Sequence, residues 1–262
     1  MNAPMFELVA GKARPDRVVA EGEGGGGRRC DSCAYRTLCL APGLGEPELA
    51  RLDRAIGCRR RVARGDILFR VGQPFGNLYS VRFGHFMTCR SDHRGERYIT
   101  GFQMGGDLLG MDAIAGGVHV SSAIALEDSE VCELPYARLQ AVMAEVPAVM
   151  LHFHRAMSEE ILREQAAIRF LGALRAEERL ASMLLNLSAR YALRGFSPRR
   201  FSLRMSREDM ARYLGLQLAT VSRLLARFRE SGLIRLQRRE LEIVDMQRLE
   251  ALAQDTHEQP SR

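Results

Sequence analysis

Between Ser206 and Glu230, three residues at fixed offsets restrict the chain more than anything else in it. Ala211 is small where two helices must cross closely, and Gly215, four residues on, permits the positive φ of a tight turn. Val221, six further, packs a second helix onto the first. A small residue, a glycine and a β-branched residue at these offsets predict a helix-turn-helix. Ser206 is placed to cap the first helix, with Asp209 at its third position as in a capping box, though Asp is shorter than the usual Glu. The second helix, Leu218 to Glu230, offers Ala219, Thr220, Ser222, Arg223, Arg227 and Arg229 for contacts. Arg223 can donate two parallel hydrogen bonds to guanine O6 and N7, and Ser222 can reach a base edge or a phosphate. Arg227 and Arg229 lie further along and are expected to meet phosphates.

The charge agrees. The 262 residues carry a net charge of +6. Residues 1–174 hold 21 basic and 21 acidic groups, whereas residues 175–262 hold 17 Arg against 11 acids, so the whole excess lies in the last third. Arg outnumbers Lys 37 to 1, which reflects GC-rich coding more than chemistry, yet the asymmetry still predicts a C-terminal module that meets an anion. Across 199–239, 11 Arg face only Glu208, Asp209 and Glu230. A merely solvated arginine face would not need the helix-turn-helix offsets. Strands around Ile234 and Ile243, joined through Arg238-Arg239, read as the wing of a winged helix. The expectation is binding of double-stranded DNA.

Upstream the pattern changes twice. Residues 1–27 end in Gly22-Glu23-Gly24-Gly25-Gly26-Gly27 and read as a flexible tail, as does 255–262. Residues 46–57 predict a short amphipathic helix with Leu49, Leu52 and Ile56 on one face. From about 59 to 135, short alternating runs are punctuated by glycine turns, which predicts a small β-barrel or jelly roll. Tyr79, Val81 and Phe83 fall on one face of such a strand. After Pro147 a helix of about 25 residues is expected. Met150, Phe153, Met157, Glu160, Glu164, Ala167 and Leu171 recur on it at three- and four-residue spacing. This is either a helix packed on the barrel or a dimer seam carrying two acids; like charges facing across a two-fold would make such a dimer marginal and switchable. The domains predicted are 28–146, a sensory barrel with a cysteine segment; 147–172, the dimerisation helix; and 173–254, the winged helix. The fold class is α+β.

No stretch approaches the ~20 apolar residues of a membrane span, and the N-terminus lacks a signal pattern. The expected location is the cytoplasm, where thiols stay reduced. Clustered cysteines there point to a metal. Cys30, Cys33 and Cys39 follow a Cys-x2-Cys-x5-Cys pattern. Three soft thiolates on one loop suit zinc or an iron–sulfur cluster, or they stay unliganded; a metal would need a fourth ligand from Cys58, Cys89 or Cys132. Leu38 and Leu40 give the segment a partly apolar shell, unlike a zinc ribbon. No nucleotide fingerprint or nucleophile–His pair appears, and the six His form no metal set, so no enzyme is expected.

These stretches, with Leu78-Tyr79 through Gly84, Ile99-Thr100-Gly101-Phe102, Gly106-Asp107-Leu108 and Cys132-Glu133-Leu134-Pro135, resemble the FNR-like, oxygen-sensing branch of the CRP/FNR transcription regulators. So do Ala176 to Leu180, Arg194 to Arg199 and Tyr213 to Leu225; the resemblance spans about residues 28–254. It implies a cyclic-nucleotide-binding-like β-barrel, a long dimerisation helix and a winged helix-turn-helix. It implies a [4Fe–4S] cluster, one per subunit, on Cys30, Cys33, Cys39 and Cys132, leaving Cys58 and Cys89 as ordinary packed thiols. It further implies a homodimer when the cluster is loaded, gated by Glu160, Glu164, Ile161 and Met157, with Glu164 at the position where an acid opposes pairing. DNA contacts fall to Ser222, Arg223, Thr220, Ala219 and Arg227 on a palindromic site, and RNA polymerase is the further partner. Two departures stand out. The Glu and Arg-Ser pair with which CRP-type members hold cyclic AMP are here Met111 and Val120-Ser121, so no cyclic nucleotide is expected. Ala219 replaces a Glu that would accept from cytosine N4, so the usual half-site is not implied. A thiol- or zinc-based redox regulator with the same DNA module, and an iron–sulfur electron-transfer protein, are the alternatives.

Overall fold

A computed structural model describes residues 30–91, 96–173 and 175–254. Both tails lie outside them, as do the side chains of Ala167 and Leu171. After a 3-10 turn at Cys30–Ser32, helix α1 (Glu46–Ala55) opens with Pro47 in its first turn, and Glu48 accepts a hydrogen bond from the Gly45 N–H at 2.9 Å. This satisfies one of the free N–H groups every helix start exposes. Leu49 and Leu52 are buried as expected, and Ile56 is half-buried.

Two antiparallel sheets follow. The first orders β1 (Cys58–Val62), β8 (Ser129–Pro135), β3 (Asn77–Phe83) and β6 (Leu108–Leu109). The second orders β2 (Ile67–Phe69), β7 (Ser122–Ala125), β4 (His85–Ser91) and β5 (Arg97–Met104). Val62, Val81, Leu109 and Val131 of one sheet and Phe69, Phe86, Ala123 and Ala125 of the other form one apolar cluster between them. The arrangement is jelly-roll-like: two four-stranded sheets rather than one closed barrel. One strand face departs from the sequence expectation. Tyr79 and Val81 are buried, but Phe83 is 57% exposed because the β3–β8 register shifts between Val81 and Phe83. A one-residue slip sends every later side chain to the other face.

Helix α2 (Tyr136–Glu145) leads into α3 (Pro147–Ala173), the long helix. Its first turns are core: Val149 and Phe153 join Leu49, Leu52 and Leu139 in one buried cluster, with Met157 packed partly against it. Phe153 therefore faces its own domain, not a partner, and for this part of the helix the packing alternative holds. Among the described side chains of α3, the exposed large apolar ones are Met150, Leu151, Ile161 and Leu162. Beyond α3 come α4 (Ala176–Leu193), β9 (Arg200–Ser202), α5 (Arg207–Leu214), α6 (Leu218–Glu230), β10 (Ile234–Gln237), β11 (Glu240–Ile243) and α7 (Met246–Gln254). A large apolar cluster joins Met87, Cys89, Ile99 and Phe102 of the second sheet to Leu180, Leu184, Met210 and Leu214 of the helices. Cys89 is thus a packed thiol. Among the described residues, no helix is long and apolar enough to cross a membrane.

Candidate nucleic-acid interface and cysteine cavity

The predicted capping box is fully formed: Ser206 Oγ accepts from the Asp209 N–H at 3.0 Å, and Asp209 Oδ2 accepts from the Ser206 N–H at 2.9 Å. The shorter Asp side chain suffices. Gly215 takes φ 62° and ψ 38°, and its N–H reaches the Ala211 carbonyl. Glycine adopts this left-handed conformation at no steric cost. Ala211 and Val221 are both buried where α5 and α6 cross.

Helix α6 buries Val221, Leu224, Leu225 and Phe228 and turns the opposite side outward. Ala219 and Arg223 are exposed there, with Thr220 and Ser222 half-buried. Among the described residues, Arg223 makes a long contact, 3.4 Å, to Thr220 Oγ1, which leaves its guanidinium available to a base edge. Arg227 forms an ion pair with Glu177 at the start of α4. The wing is a three-stranded sheet, β10-β11-β9, whose hairpin turns at Arg238 with φ 54°. The sequence predicts the strand pair but not β9, which is three residues long. Glu242 of β11, outside the 199–239 stretch, pairs with Arg200 at 2.8 Å and Arg235 at 3.2 Å. Those contacts, Arg200's first, hold the Glu242 carboxyl below its usual range.

The second site lies on the outer surface of the first sheet. Cys30, Cys33, Cys39 and Cys132 border one cavity, walled by Leu40, Leu52, Ile56, Val81 and Leu134. Cys132 comes from β8, opposite Arg59 of β1 and Ser80 of β3, and the other three come from the 30–39 segment. Burial pushes the Cys30 and Cys39 thiols up and takes Cys132 to about 11, so without a partner they hold their protons at neutral pH. Among the described residues, no three His, Cys, Asp or Glu side chains stand arranged to hold a metal ion. The donor set nevertheless fits an iron–sulfur group in kind: four thiols on one partly apolar cavity. Cys58 and Cys89 are not among the lining residues. Cys58 is exposed rather than packed, its Sγ–H donating to Glu133 Oε2 at 3.2 Å.

A third spot centres on Asp112, beside Met111. The Val120 N–H, the Ser121 N–H and the Ser121 hydroxyl all donate to Asp112 Oδ2, at 3.1, 2.9 and 2.8 Å. All three donors are taken up by the chain's own carboxylate.

The profile of a Crp-like helix-turn-helix domain matches residues 178–252, and that of a cyclic nucleotide-binding domain matches residues 59–146. The transcriptional regulatory protein btr of Bordetella pertussis is 44% identical over 223 residues, 85% of this chain and 92% of its own. The chain belongs to the CRP/FNR family of transcription regulators. Another relative, the fumarate and nitrate reduction regulatory protein of Escherichia coli (strain K12), is 41% identical over 241 residues, 92% of this chain and 96% of that one. Among solved structures, FixK2 from Bradyrhizobium japonicum superposes with a TM-score of 0.68 at 26% identity, covering 74% of this chain and 96% of FixK2. As a member of the CRP/FNR family the chain is a DNA-binding transcription regulator, and α5–α6 lies within its matched helix-turn-helix domain. Replacing Arg223 with Ala should cost about 1–3 kcal/mol at one guanine and relax specificity there. Competition binding against sites mutated base by base reads this directly; equal loss on every sequence would make Arg223 a phosphate contact.

Proposed function

We propose that this regulator responds to oxygen: in low oxygen Cys30, Cys33, Cys39 and Cys132 hold one [4Fe–4S] cluster per subunit, and the chain then pairs, grips a palindromic site and engages RNA polymerase. The observation that carries the reading is that these four of the six cysteines border a single cavity. Relatives at 41% identity named fumarate and nitrate reduction regulatory proteins support it. Bound there, the group supplies an oxygen-reactive iron–sulfur core that thiols alone lack.

The chain's own residues do the rest. Cys132 tethers the 30–39 segment to a strand in the sheet's interior. That segment continues into Leu40, Ala41 and Leu44, which share the buried cluster with Val149 and Phe153 of α3. His152 of α3 also contacts the Pro42 carbonyl at 2.8 Å. A loosened 30–39 segment thus loosens the first turns of the long helix, whose exposed Ile161 and Leu162 are offered to a second copy. Residues 28–146 act as the sensory domain, 147–172 as the pairing helix and 173–254 as the DNA module. Pairing raises DNA affinity because two half-sites about one helical turn apart are gripped together. Met111, and an Asp112 already occupied by the 120–121 donors, fit a sensor that takes no cyclic nucleotide.

The test is purification without air, with iron, sulfide and absorbance measured, followed by air while oligomer size is monitored. About four iron and four sulfide per chain are expected, with loss of the dimer in air. Zinc, or bare thiols, would replace this reading by a different redox trigger on the same DNA module.

A further inference from the structure

Asp107 sits in the turn between β5 and β6 with its side chain only 9% exposed. Two arginines at the end of α4 converge on it: Arg190 of the last turn reaches Oδ2, and Arg194, the C-cap residue, reaches Oδ1 at 2.8 Å. The same two guanidiniums hold the backbone around the turn. Arg190 Nη1 donates to the Phe102 carbonyl at 2.7 Å, and Arg194 Nε donates to the Gly105 carbonyl at 2.7 Å. Burial works against ionisation of Asp107, but Arg190, Arg194 and the more distant Arg163 of α3 outweigh it and hold the carboxyl below its usual range. Helix α4 in turn carries the reading unit: Arg179 donates to the Leu214 carbonyl at the end of α5 at 3.0 Å, and Glu177 holds Arg227 of α6.

The cysteine segment presses on the other side of this turn. A Cβ on Gly105 would stand 2.4 Å from the Tyr35 ring, and one on Gly106, at φ +93°, would stand 2.8 Å from Leu38 Cβ. Only glycine lets the segment seat this closely. Tyr35 lies between Cys33 and Cys39, and its carbonyl accepts the Cys39 N–H at 3.1 Å. One ring therefore touches the Asp107 turn while its backbone anchors a thiol of the cavity.

We infer that Tyr35 and Asp107 are positioning residues that join the cysteine segment to the DNA module within one protomer. Tyr35 seats the Gly105–Asp107 turn, Asp107 seats α4 through Arg190 and Arg194, and α4 seats α5 and α6. The link deepens the proposed regulation and rests on that reading for its trigger alone. Its route needs no second copy, unlike pairing through α3. A chain of packed groups counts as a route only if disturbing one end moves the other.

Hydrogen exchange measured by mass spectrometry on the full chain, stripped of metal by chelator, decides the matter. Tyr35→Ala should speed exchange across 187–196 by about tenfold, with the wing strands 234–243 unchanged. Tyr35→Phe, which keeps the ring, should match the parent. Combined with Arg194→Gln, the Tyr35→Ala effect should shrink, because the route is already cut. The link is overturned if Tyr35→Ala loosens 30–39 while 187–196 exchanges as before, or if its effect survives Arg194→Gln undiminished. Should the double variant fail to fold, the single Tyr35 pair still decides. Absence of iron from anaerobic preparations would sink the oxygen reading without touching this result, which is read on metal-free chain.

Discussion

Cys132→Ala should leave the chain purified without air almost free of iron and of visible absorbance, while the protein stays folded. Changing residues that merely support metal ligands costs about 10–100-fold in affinity, and removing a thiolate ligand costs more. Cys132 is the one sheet-borne thiol of the cavity, so without it the other three lie on a segment with nothing sulfur-bearing opposite. The side chain is half-buried, and the fold should lose about 1 kcal/mol or less. Cys58→Ala is the control, since that thiol is exposed and faces Glu133. The two variants should separate by iron content alone, and full iron in Cys132→Ala would assign the fourth ligand elsewhere. The raised thiols add a direction in pH: ligation must expel protons from Cys30, Cys39 and Cys132, so loading weakens as pH falls.

Glu164→Ala should produce a dimer that persists in air. Two like charges about 4 Å apart repel by about 1 kcal/mol in water and about 4 kcal/mol near a protein surface, and a two-fold brings each acid near its own copy. Burial, then Glu160 and Asp112, push the Glu164 carboxyl up, so its ionised form is already disfavoured before any partner arrives. Acidification protonates such a group early, so mild acid should favour pairing in the parent and have less effect in the variant. Glu160→Ala should do less. Arg163 of the same helix donates to Glu160 at 2.9 Å and neutralises it within the protomer. Aerobic sedimentation measures all three chains, and a monomeric Glu164→Ala would end the charge-gate idea.

The reading unit could be derived from sequence because its determinants are local. Ala211, Gly215 and Val221 specify a crossing through size and φ alone, and Ser206 with Asp209 closes a box within four residues. The cysteine cavity was half-readable: Cys30, Cys33 and Cys39 are a local pattern, whereas choosing Cys132 over Cys58 and Cys89 depended on resemblance, because strand pairing across the sheet leaves no local mark. Phe83 went to the wrong face because a bulge is a property of two strands, and the alternation of one does not reveal it. On α3 the spacing was real, but spacing does not say which copy a residue faces; Phe153 turned out to serve its own core. Helix α2 escaped notice since its N-cap is Pro135, which offers no side-chain acceptor. The Asp107 junction was invisible for a plainer reason. Its arginine partners lie more than 80 positions away in the chain.

The pairing of Arg227 with Glu177 bears on how ionic strength will act on this regulator. An arginine that meets DNA from bulk solvent displaces the DNA's condensed counterions, and each such contact steepens the fall of affinity with salt. Arg227 must first give up a carboxylate, and Glu177 is then left to recruit a cation of its own. Cation uptake on one side offsets cation release on the other, so this helix will be less sensitive to salt than a tally of its arginines implies.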